Sequence, residues 1–309
     1  NGISATTPID VNGDSIVDYI YAGDLFGNVW KFDVSSANIL NWKSAFLSGA
    51  TPTPFFVATD APGKTQPITT KVQVSTHPKF KTSNDFMVYF GTGKYLEAED
   101  SNANNEVTQT FYGLWDNGST LLNRNSLVLQ SILEERSLGS VGSFRLVSDN
   151  EVNWSSPATD RGWRIDLVSA QNNNNKGERQ VSNAIIHNGR IIFTTLIPSG
   201  DICKAGGSGW LMELDVNNGG ALDSSPIDTN GDGVIDAADL LLIDGQLVAP
   251  AGFKSNSDVG MLSTPAIVTN SSSSNTENKF LSTSSGSIVN VLESGSSRAR
   301  GRQSWREVH

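Results

Sequence analysis

Short apolar segments alternate along this chain with turns rich in Gly, Asn, Asp and Ser, and apolar residues at helical spacing are scarce. Segments of this length and composition are typical of β-strands. The clearest predicted strands cover residues 18–22, 28–34, 86–91, 110–115, 162–167, 184–187, 191–196 and 209–215. The chain is therefore predicted to be all-β.

A loose repeat occurs within these predicted strands. An aromatic residue is followed within a few positions by Asp in Trp30-Lys-Phe-Asp33, Trp163-Arg-Ile-Asp166 and Trp210-Leu-Met-Glu-Leu-Asp215. The last two Asp residues are 49 positions apart, which is close to the length of one propeller blade. A chain of 309 residues can form one β-propeller, so residues 1–309 are interpreted as a single propeller region.

The strongest candidate chemistry lies in residues 10–18, here called loop one. Asp10, Asn12, Asp14 and Asp18 supply side-chain oxygens at positions 1, 3, 5 and 9, and Ile16 supplies a backbone carbonyl at position 7. This is the ligand spacing of an EF-hand-like calcium loop, and hard oxygen donors favour calcium. Asp and Asn also form polar turns without metal. Three carboxylates within nine residues would repel one another without a cation, so calcium is the favoured interpretation.

The same pattern recurs in residues 228–239, here called loop two. Its predicted ligands, with Val234 acting through its carbonyl, are Asp228, Asn230, Asp232, Val234, Asp236 and Asp239. Gly233 stands at position 6, where the sharp turn favours Gly, and Asp239 stands at position 12, the usual place of a closing carboxylate. Loop one has Ser15 and Tyr21 at these positions. Loop two is therefore expected to bind calcium more tightly.

Neither loop is flanked by the two amphipathic helices of a true EF-hand, because strand-forming residues follow Asp18. We therefore expect calcium loops set among strands. A dockerin-like calcium module remains an alternative interpretation of loop two, although dockerins pair two loops with helices in a short domain. Here Asp10 and Asp228, which begin the loops, are 218 residues apart.

Charge and composition exclude several other classes of function. The formal net charge is −10 and no basic patch lies within the predicted strands, which argues against nucleic-acid binding. Cys203 is the one cysteine, so a disulfide within the chain and a cysteine-based zinc site are both excluded. His77, His187 and His309 lack metal-binding or catalytic spacing. No apolar run of about eighteen residues occurs, so no membrane-spanning helix is predicted.

Enzyme interpretations find little support in the sequence. Gly91-Thr-Gly93-Lys94 resembles the end of a phosphate-binding loop, but position 88 is Val and the spacing fails. A propeller with Trp in its blades could hold pyrroloquinoline quinone, as quinoprotein dehydrogenases do. The adjacent cysteines of those enzymes are missing, so the tryptophans are interpreted as blade cores. We therefore predict a protein that is not an enzyme and whose cofactor is Ca²⁺.

Several motifs together resemble one known family. They are the run from Asp10 to Asp33, Phe90-Gly-Thr-Gly-Lys-Tyr-Leu96, Phe111-Tyr-Gly-Leu-Trp-Asp116, Gly162-Trp-Arg-Ile-Asp-Leu167, Gly177-Glu-Arg179, Phe193-Thr-Thr-Leu-Ile-Pro198, Gly207-Ser-Gly-Trp-Leu-Met-Glu-Leu-Asp215 and Gly301-Arg-Gln-Ser-Trp-Arg-Glu307. In this order they resemble the PilY/PilC family of type IV pilus biogenesis factors and tip adhesins. The motifs are spread over nearly the whole chain.

The resemblance implies a modified, quinoprotein-like β-propeller with inserted calcium loops, at the C-terminal end of a longer exported protein. It also implies that loop one is regulatory, with bound calcium favouring pilus extension over retraction. The expected functions are pilus assembly, twitching motility and adhesion to host or abiotic surfaces, with minor pilins as partners. The expected location is the surface of a Gram-negative bacterium, reached through the outer membrane.

The C-terminal segment carries a further expectation. Four arginines cluster there beside Trp305, namely Arg298, Arg300, Arg302 and Arg306. Ser and Arg content favours a solvated tail, but an exposed indole is costly and arginines can pair with carboxylates of this acidic protein. Residues 301–309 are therefore expected to dock on the propeller or on a pilus partner.

Overall fold

A computed structural model of the chain describes residues 1–80, 85–101, 107–118, 123–155, 160–170, 176–201, 206–270 and 275–295. All regular structure in these ranges is β-strand or short 3₁₀-helix, which confirms the all-β prediction. None of the helices found there is long and apolar enough to cross a bilayer. Cys203 and the Arg-rich segment from 296 to 309 lie outside the described residues.

The described residues form twenty-five strands and four 3₁₀-helices. The strands, numbered along the chain, are β1 (Thr7–Ile9), β2 (Tyr19–Gly23), β3 (Asn28–Asp33), β4 (Lys43–Ser44), β5 (Leu47–Ser48), β6 (Thr51–Pro52), β7 (Phe56–Val57), β8 (Gln73–Thr76), β9 (Phe86–Gly91), β10 (Thr110–Asp116), β11 (Val128–Gln130), β12 (Ile132–Leu138), β13 (Gly142–Val147), β14 (Gly162–Asp166), β15 (Ile185–His187), β16 (Arg190–Thr194), β17 (Ile197–Pro198), β18 (Gly207–Ser208), β19 (Leu211–Asp215), β20 (Leu241–Ile243), β21 (Gln246–Val248), β22 (Gly252–Lys254), β23 (Ala266–Thr269), β24 (Thr276–Ser282) and β25 (Ile288–Ser294). The helices are Ile39–Asn41, Ala98–Ser101, Arg124–Ser126 and Ala237–Asp239.

The described residues form four sheets of three or more strands. The first has the order β1-β2-β3-β4, with β7 also paired to β3, and the second has the order β11-β14-β10-β9-β8. The third has the order β12-β13-β22-β19-β16-β15, and the fourth is β23-β24-β25. Pairing within these sheets is antiparallel except between β11 and β14. Short antiparallel strands with tight turns are the building blocks of propeller blades.

The predicted strands agree closely with the observed ones, and the two clearest differences have a local cause. The strand predicted to reach residue 196 ends at Thr194, and the one predicted from residue 209 begins at Leu211. Leu196 instead exchanges backbone hydrogen bonds of 2.7 and 2.9 Å with Arg179. A Cβ at Gly209 would lie 2.0 Å from the Thr195 carbonyl oxygen, so the backbones approach too closely there for a regular side chain.

Apolar side chains fill the spaces between consecutive sheets. One cluster joins the first two sheets, and it includes Tyr21, Phe56 and Tyr112. A second cluster joins the second and third sheets, where Trp163 is fully buried as its blade-core prediction requires. The third includes Ile192 and Leu281 and joins the third and fourth sheets. Each sheet is therefore covered by the next, and burial of these side chains stabilises the packing of neighbouring sheets.

Buried ion pairs connect the same neighbouring sheets. Lys31 of the first sheet lies 2.9 Å from Asp116 of the second, and both side chains are almost fully buried. Lys279 of the fourth sheet lies 2.7 Å from Glu213 of the third, again with no exposed side-chain surface. Buried charges of this kind are costly when one partner is removed, so each pair fixes how its two sheets meet.

Candidate metal-binding loops

Loop one is the connection of a β-hairpin. Strands β1 and β2 pair with Thr7 opposite Tyr21 and with Ile9 opposite Tyr19, so residues 10–18 close the hairpin. The Asp18 N–H donates to the Ile9 carbonyl at 2.8 Å, and the Asp18 carbonyl accepts from the Val34 N–H at 2.9 Å. The base of the loop is therefore attached both to its own hairpin and to the residue that follows β3.

Within loop one, the predicted ligand side chains accept hydrogen bonds from the backbone of the loop itself. Each bond spans two to five residues, so the loop folds around its own acidic side chains. The bonds run from Gly13 N–H to Asp10 Oδ1 (2.7 Å), from Ser15 N–H to Asp10 Oδ2 (2.7 Å), from Asp14 N–H to Asn12 Oδ1 (2.8 Å) and from Ile16 N–H to Asp14 Oδ1 (2.8 Å).

Loop two repeats these four hydrogen bonds at the same four positions. They run from Gly231 N–H to Asp228 Oδ1 (2.6 Å), from Gly233 N–H to Asp228 Oδ2 (2.9 Å), from Asp232 N–H to Asn230 Oδ1 (2.8 Å) and from Val234 N–H to Asp232 Oδ1 (2.8 Å). Two segments far apart in the sequence thus share one local backbone structure. We call this shared set of bonds the loop frame.

The loops differ in the residue that closes them. The N–H at position 2 donates to Asp18 Oδ2 (2.8 Å, from Val11) in loop one, but to Asp239 Oδ1 (2.7 Å, from Thr229) in loop two. Asp239 is fully buried, and its Oδ2 accepts from the Asp236 N–H at 2.9 Å in a capping box around the helix Ala237–Asp239. Loop one is therefore closed by position 9 and loop two by position 12.

Both loops place a left-handed residue at positions 4 and 6. The φ angles are +78° at Gly13 and +68° at Ser15, and +77° at Gly231 and +82° at Gly233. Glycine adopts this conformation without steric penalty, whereas a residue with a Cβ loses about 1–2 kcal/mol. Ser15 therefore holds loop one in a conformation that is less favourable than that of loop two.

The electrostatics of Asp10 follow from the loop frame. Desolvation by itself would raise the pKa of this carboxyl, but backbone N–H groups, led by those of Ser15 and Gly13, hold the pKa below its ordinary value. Asp10 therefore remains a carboxylate, the form that a cation needs, to a lower pH than an ordinary Asp does.

The donor chemistry of both loops fits a hard cation such as calcium. Asp14 Oδ2 and Asp18 Oδ1 in loop one accept no hydrogen bond from a described residue, and the same holds for Asp232 Oδ2 and Asp236 Oδ2 in loop two. The acidic side chains are nevertheless spread along each loop. No group of three or more His, Cys, Asp or Glu side chains among the described residues stands close enough together to hold a metal ion.

A cleft of about 590 Å³ lies beside loop one, and sequence patterns did not point to it. Its lining includes the polar residues Asn12, Asp14 and Asp18 and the apolar residues Val34 and Trp42. The Trp42 side chain is 51% exposed, although its indole N–H donates to a backbone carbonyl at 2.9 Å. The sequence signal that could have indicated this cleft is Trp42, a tryptophan within a polar segment. Any change in the position of loop one would alter the shape of this cleft.

The phosphate-loop resemblance at Gly91–Lys94 has a structural explanation. A Cβ at Gly93 would lie 2.5 Å from the Cβ of Arg179, so this glycine allows close packing. The Lys94 amine lies 2.7 Å from a Glu97 carboxylate oxygen and 3.5 Å from one of Asp100. The lysine is therefore already paired with carboxylates, which does not favour phosphate binding.

Comparison with known proteins is consistent with this architecture. Residues 1–127 match the model of the PilY1 β-propeller domain. A type IV pilus biogenesis factor PilY1 homolog of Xylella fastidiosa is 34% identical over 223 residues, which cover 72% of this chain and 14% of the relative. The type IV pilus biogenesis factor PilY1 of Pseudomonas aeruginosa PAO1 is 30% identical over 334 residues, which cover 100% of this chain and 27% of the relative. The chain thus spans 14% to 27% of the length of these relatives.

A solved structure agrees with the sequence matches. The crystal structure of the Pseudomonas aeruginosa PilY1 C-terminal domain superimposes with a TM-score of 0.75 at 29% sequence identity, covering 94% of this chain and 60% of the other. The sequence match and the fold therefore agree over most of the chain, and the family model agrees with both over residues 1–127. The chain belongs to the PilY1 family.

Proposed function

We propose that residues 1–309 form the C-terminal β-propeller region of a longer type IV pilus biogenesis protein that acts in pilus assembly, twitching motility and adhesion. Family membership supports the link to pili, and the match to a C-terminal domain supports the position in the longer protein. The role is non-enzymatic, with minor pilins and host or abiotic surfaces as partners. The protein is exported through the outer membrane of a Gram-negative bacterium and works at the cell surface.

We further propose that both loops bind calcium. The main support is the loop frame, which two distant segments form with the same hydrogen bonds at the same positions. In loop one the ligands are the side chains of Asp10, Asn12, Asp14 and Asp18 with the Ile16 carbonyl. In loop two they are Asp228, Asn230, Asp232, the Val234 carbonyl, Asp236 and Asp239.

The residues of loop one explain how calcium would control extension and retraction. Bound calcium would neutralise carboxylates that otherwise repel one another. Asp14 and Asp18 would then turn their unbonded oxygens toward a common point, and both residues line the cleft that contains Trp42. A pilus partner that recognises the ordered cleft would bind more tightly with calcium than without it, by linkage. On this proposal the ordered state favours extension and the loosened state permits retraction.

Calorimetric titration of the 309-residue chain with calcium tests the proposal directly. The parent should show two sites, Asp14→Ala should lose one and Asp232→Ala should lose the other. Asp223→Ala removes an exposed carboxylate outside both loops and should keep both sites. Far-UV circular dichroism should be the same for all four proteins. Absence of binding to the parent would overturn the calcium proposal.

A second experiment tests control of the pilus. A strain whose full-length protein carries Asp14→Ala should show altered surface piliation and twitching, while Asp223→Ala should behave as the parent. Normal piliation and motility in a strain whose loop one demonstrably binds no calcium would refute the regulatory role. That result would leave calcium binding itself untouched.

The two alternative functions receive no support. A dockerin-like module needs helices around its loops, but loop one lies between two strands, and loop two contains a single turn of 3₁₀-helix and is followed by strand β20. The relatives are named as biogenesis factors, which does not favour a quinoprotein dehydrogenase.

A further inference from the structure

A cavity of about 330 Å³ lies between the third and fourth sheets, and neither calcium loop lines it. Its apolar walls include Leu211 and Phe253 of the third sheet and Leu281 and Val289 of the fourth. Polar residues line the rest of it, among them Ser208, Lys254 and Asp258, and a concave site that combines apolar walls with polar groups is typical of small-ligand binding.

Lys254 is the cation that lines this cavity. Its amine donates a hydrogen bond to the Ser208 hydroxyl at 3.0 Å, and Ser208 lines the same cavity. Within the described ranges the amine forms no ion pair with a carboxylate. Asp258, which also lines the cavity, is exposed and makes no ion pair with it.

The nearby carboxylates are already engaged by another cation. Arg145 is fully buried and lies 2.8 Å from Glu135 and 2.6 Å from Glu178. Both carboxylates that most affect the Lys254 amine, those of Glu178 and Glu135, are thus paired with Arg145, and neither forms an ion pair with Lys254. An amine that is partly removed from water without a counterion is unfavourable, and an anionic ligand would relieve this cost.

The surroundings of the Lys254 amine are partly desolvated and include an aromatic ring. Desolvation lowers the pKa of Lys254, because burial disfavours its charged form. The Trp210 indole faces two cations, with the Arg145 guanidinium 4.2 Å and the Lys254 amine 5.8 Å from its ring centre. The ring attracts the cations but carries no negative charge, so it does not replace a carboxylate partner for the amine.

We infer that this cavity binds a small carboxylate attached to an apolar body, with the Lys254 amine and the Ser208 hydroxyl holding the carboxylate. The volume corresponds to about eleven water molecules at about 30 Å³ each, which suits a ligand of roughly ten non-hydrogen atoms. The carboxylate could belong to a free small molecule or to the C-terminus of a peptide. The inference does not depend on calcium binding.

Calorimetric titration with phenylacetate, at neutral pH and without calcium, tests the inference. Phenylacetamide has the same shape without the charge and should bind at least tenfold more weakly. Lys254→Met should weaken phenylacetate binding at least tenfold, and Lys254→Arg should keep most of it. Lys43→Met, which removes an exposed lysine and the same charge, should have no effect.

Two further arms sharpen the test. Asp258→Asn should leave the affinity unchanged or raise it, because that carboxylate could only compete for the amine. N-acetylphenylalanine carries the carboxylate of a chain terminus, so tighter binding of it than of phenylacetate would favour a peptide source. Failure of both carboxylates to bind the parent, or equal binding to the parent and to Lys254→Met, would overturn the inference.

Discussion

Position 6 of the two loops offers a matched exchange that isolates one backbone effect. Ser15 and Gly233 occupy the same place in the loop frame, with φ angles of +68° and +82°. A Cβ at Gly233 would meet no atom within 4 Å, and Ser15 is exposed. The variants Ser15→Gly and Gly233→Ser therefore change the conformational preference of the backbone with almost no change in packing.

The expected magnitude follows from two opposing terms. A left-handed residue with a Cβ loses about 1–2 kcal/mol relative to glycine. Replacing the residue by glycine removes this cost but adds back about 0.5–1 kcal/mol, because glycine loses more conformational freedom when the loop becomes ordered. The net change of about 0.5–1 kcal/mol corresponds to roughly a two- to fivefold change in calcium affinity.

The assay is calorimetric calcium titration of four proteins, namely the parent, each single variant and the double exchange. In the parent, loop two should be the tighter site. Ser15→Gly should tighten the loop-one phase, Gly233→Ser should weaken the loop-two phase, and the double variant should bring the two affinities together. Asp14→Ala and Asp232→Ala identify which phase belongs to which loop.

Two results would refute this reasoning. If Ser15→Gly leaves the loop-one affinity unchanged or weakens it, the left-handed conformation is not what limits binding. If loop one is already the tighter site in the parent, closure by Asp18 at position 9 outweighs both Gly233 and Asp239. The second result would mean that the hairpin preorganises loop one more than its ligand set suggests.

Three further predictions concern stability. Lys31→Met should lower the free energy of unfolding by about 3–5 kcal/mol, because it leaves Asp116 buried without its partner, and adding Asp116→Asn should recover part of the loss in thermal denaturation. Gly113→Ala should cost about 1–3 kcal/mol, because the new Cβ would lie 2.4 Å from the Trp163 ring, and an unchanged melting temperature would contradict this. Burial lowers the pKa of His77 from 6.5 to about 4, because it disfavours the charged imidazolium; the free energy of unfolding should therefore be independent of this group above pH 6.5 and should decrease as the pH falls toward 4, and His77→Gln should remove that dependence in thermal denaturation.

The loops could be predicted from sequence because their structure is local. Every bond of the loop frame joins residues two to five positions apart, so the order of Asp, Asn and Gly largely determines it. The strands at Phe86–Gly91 and Thr110–Asp116 were equally accessible, since apolar runs bounded by turn residues depend on neighbours in the chain.

Features that depend on distant partners were beyond sequence reasoning. Strand β14 lies between β10 and β11 and pairs in parallel with β11, and no local pattern specifies such an insertion. The burial of Lys31 beside Asp116 follows from the meeting of two sheets, although an isolated lysine usually indicates a surface position. Lys254 carries no motif, and its lack of an ion pair among the described residues is visible only once Arg145 is seen to engage both Glu135 and Glu178.

The different closures of the two loops bear on which loop can act as a switch. Asp239 of loop two is buried, and its oxygens accept hydrogen bonds from Thr229 and Asp236, so that loop is held in place by the protein itself. In loop one the closing side chain is that of Asp18, which accepts one hydrogen bond, from the Val11 N–H, and is only partly buried. A loop that becomes more ordered when calcium binds can transmit the binding to a partner. A loop that is already fixed changes little in shape, so calcium mainly adds stability there. Under the proposed function, regulation therefore belongs to loop one and structural support to loop two.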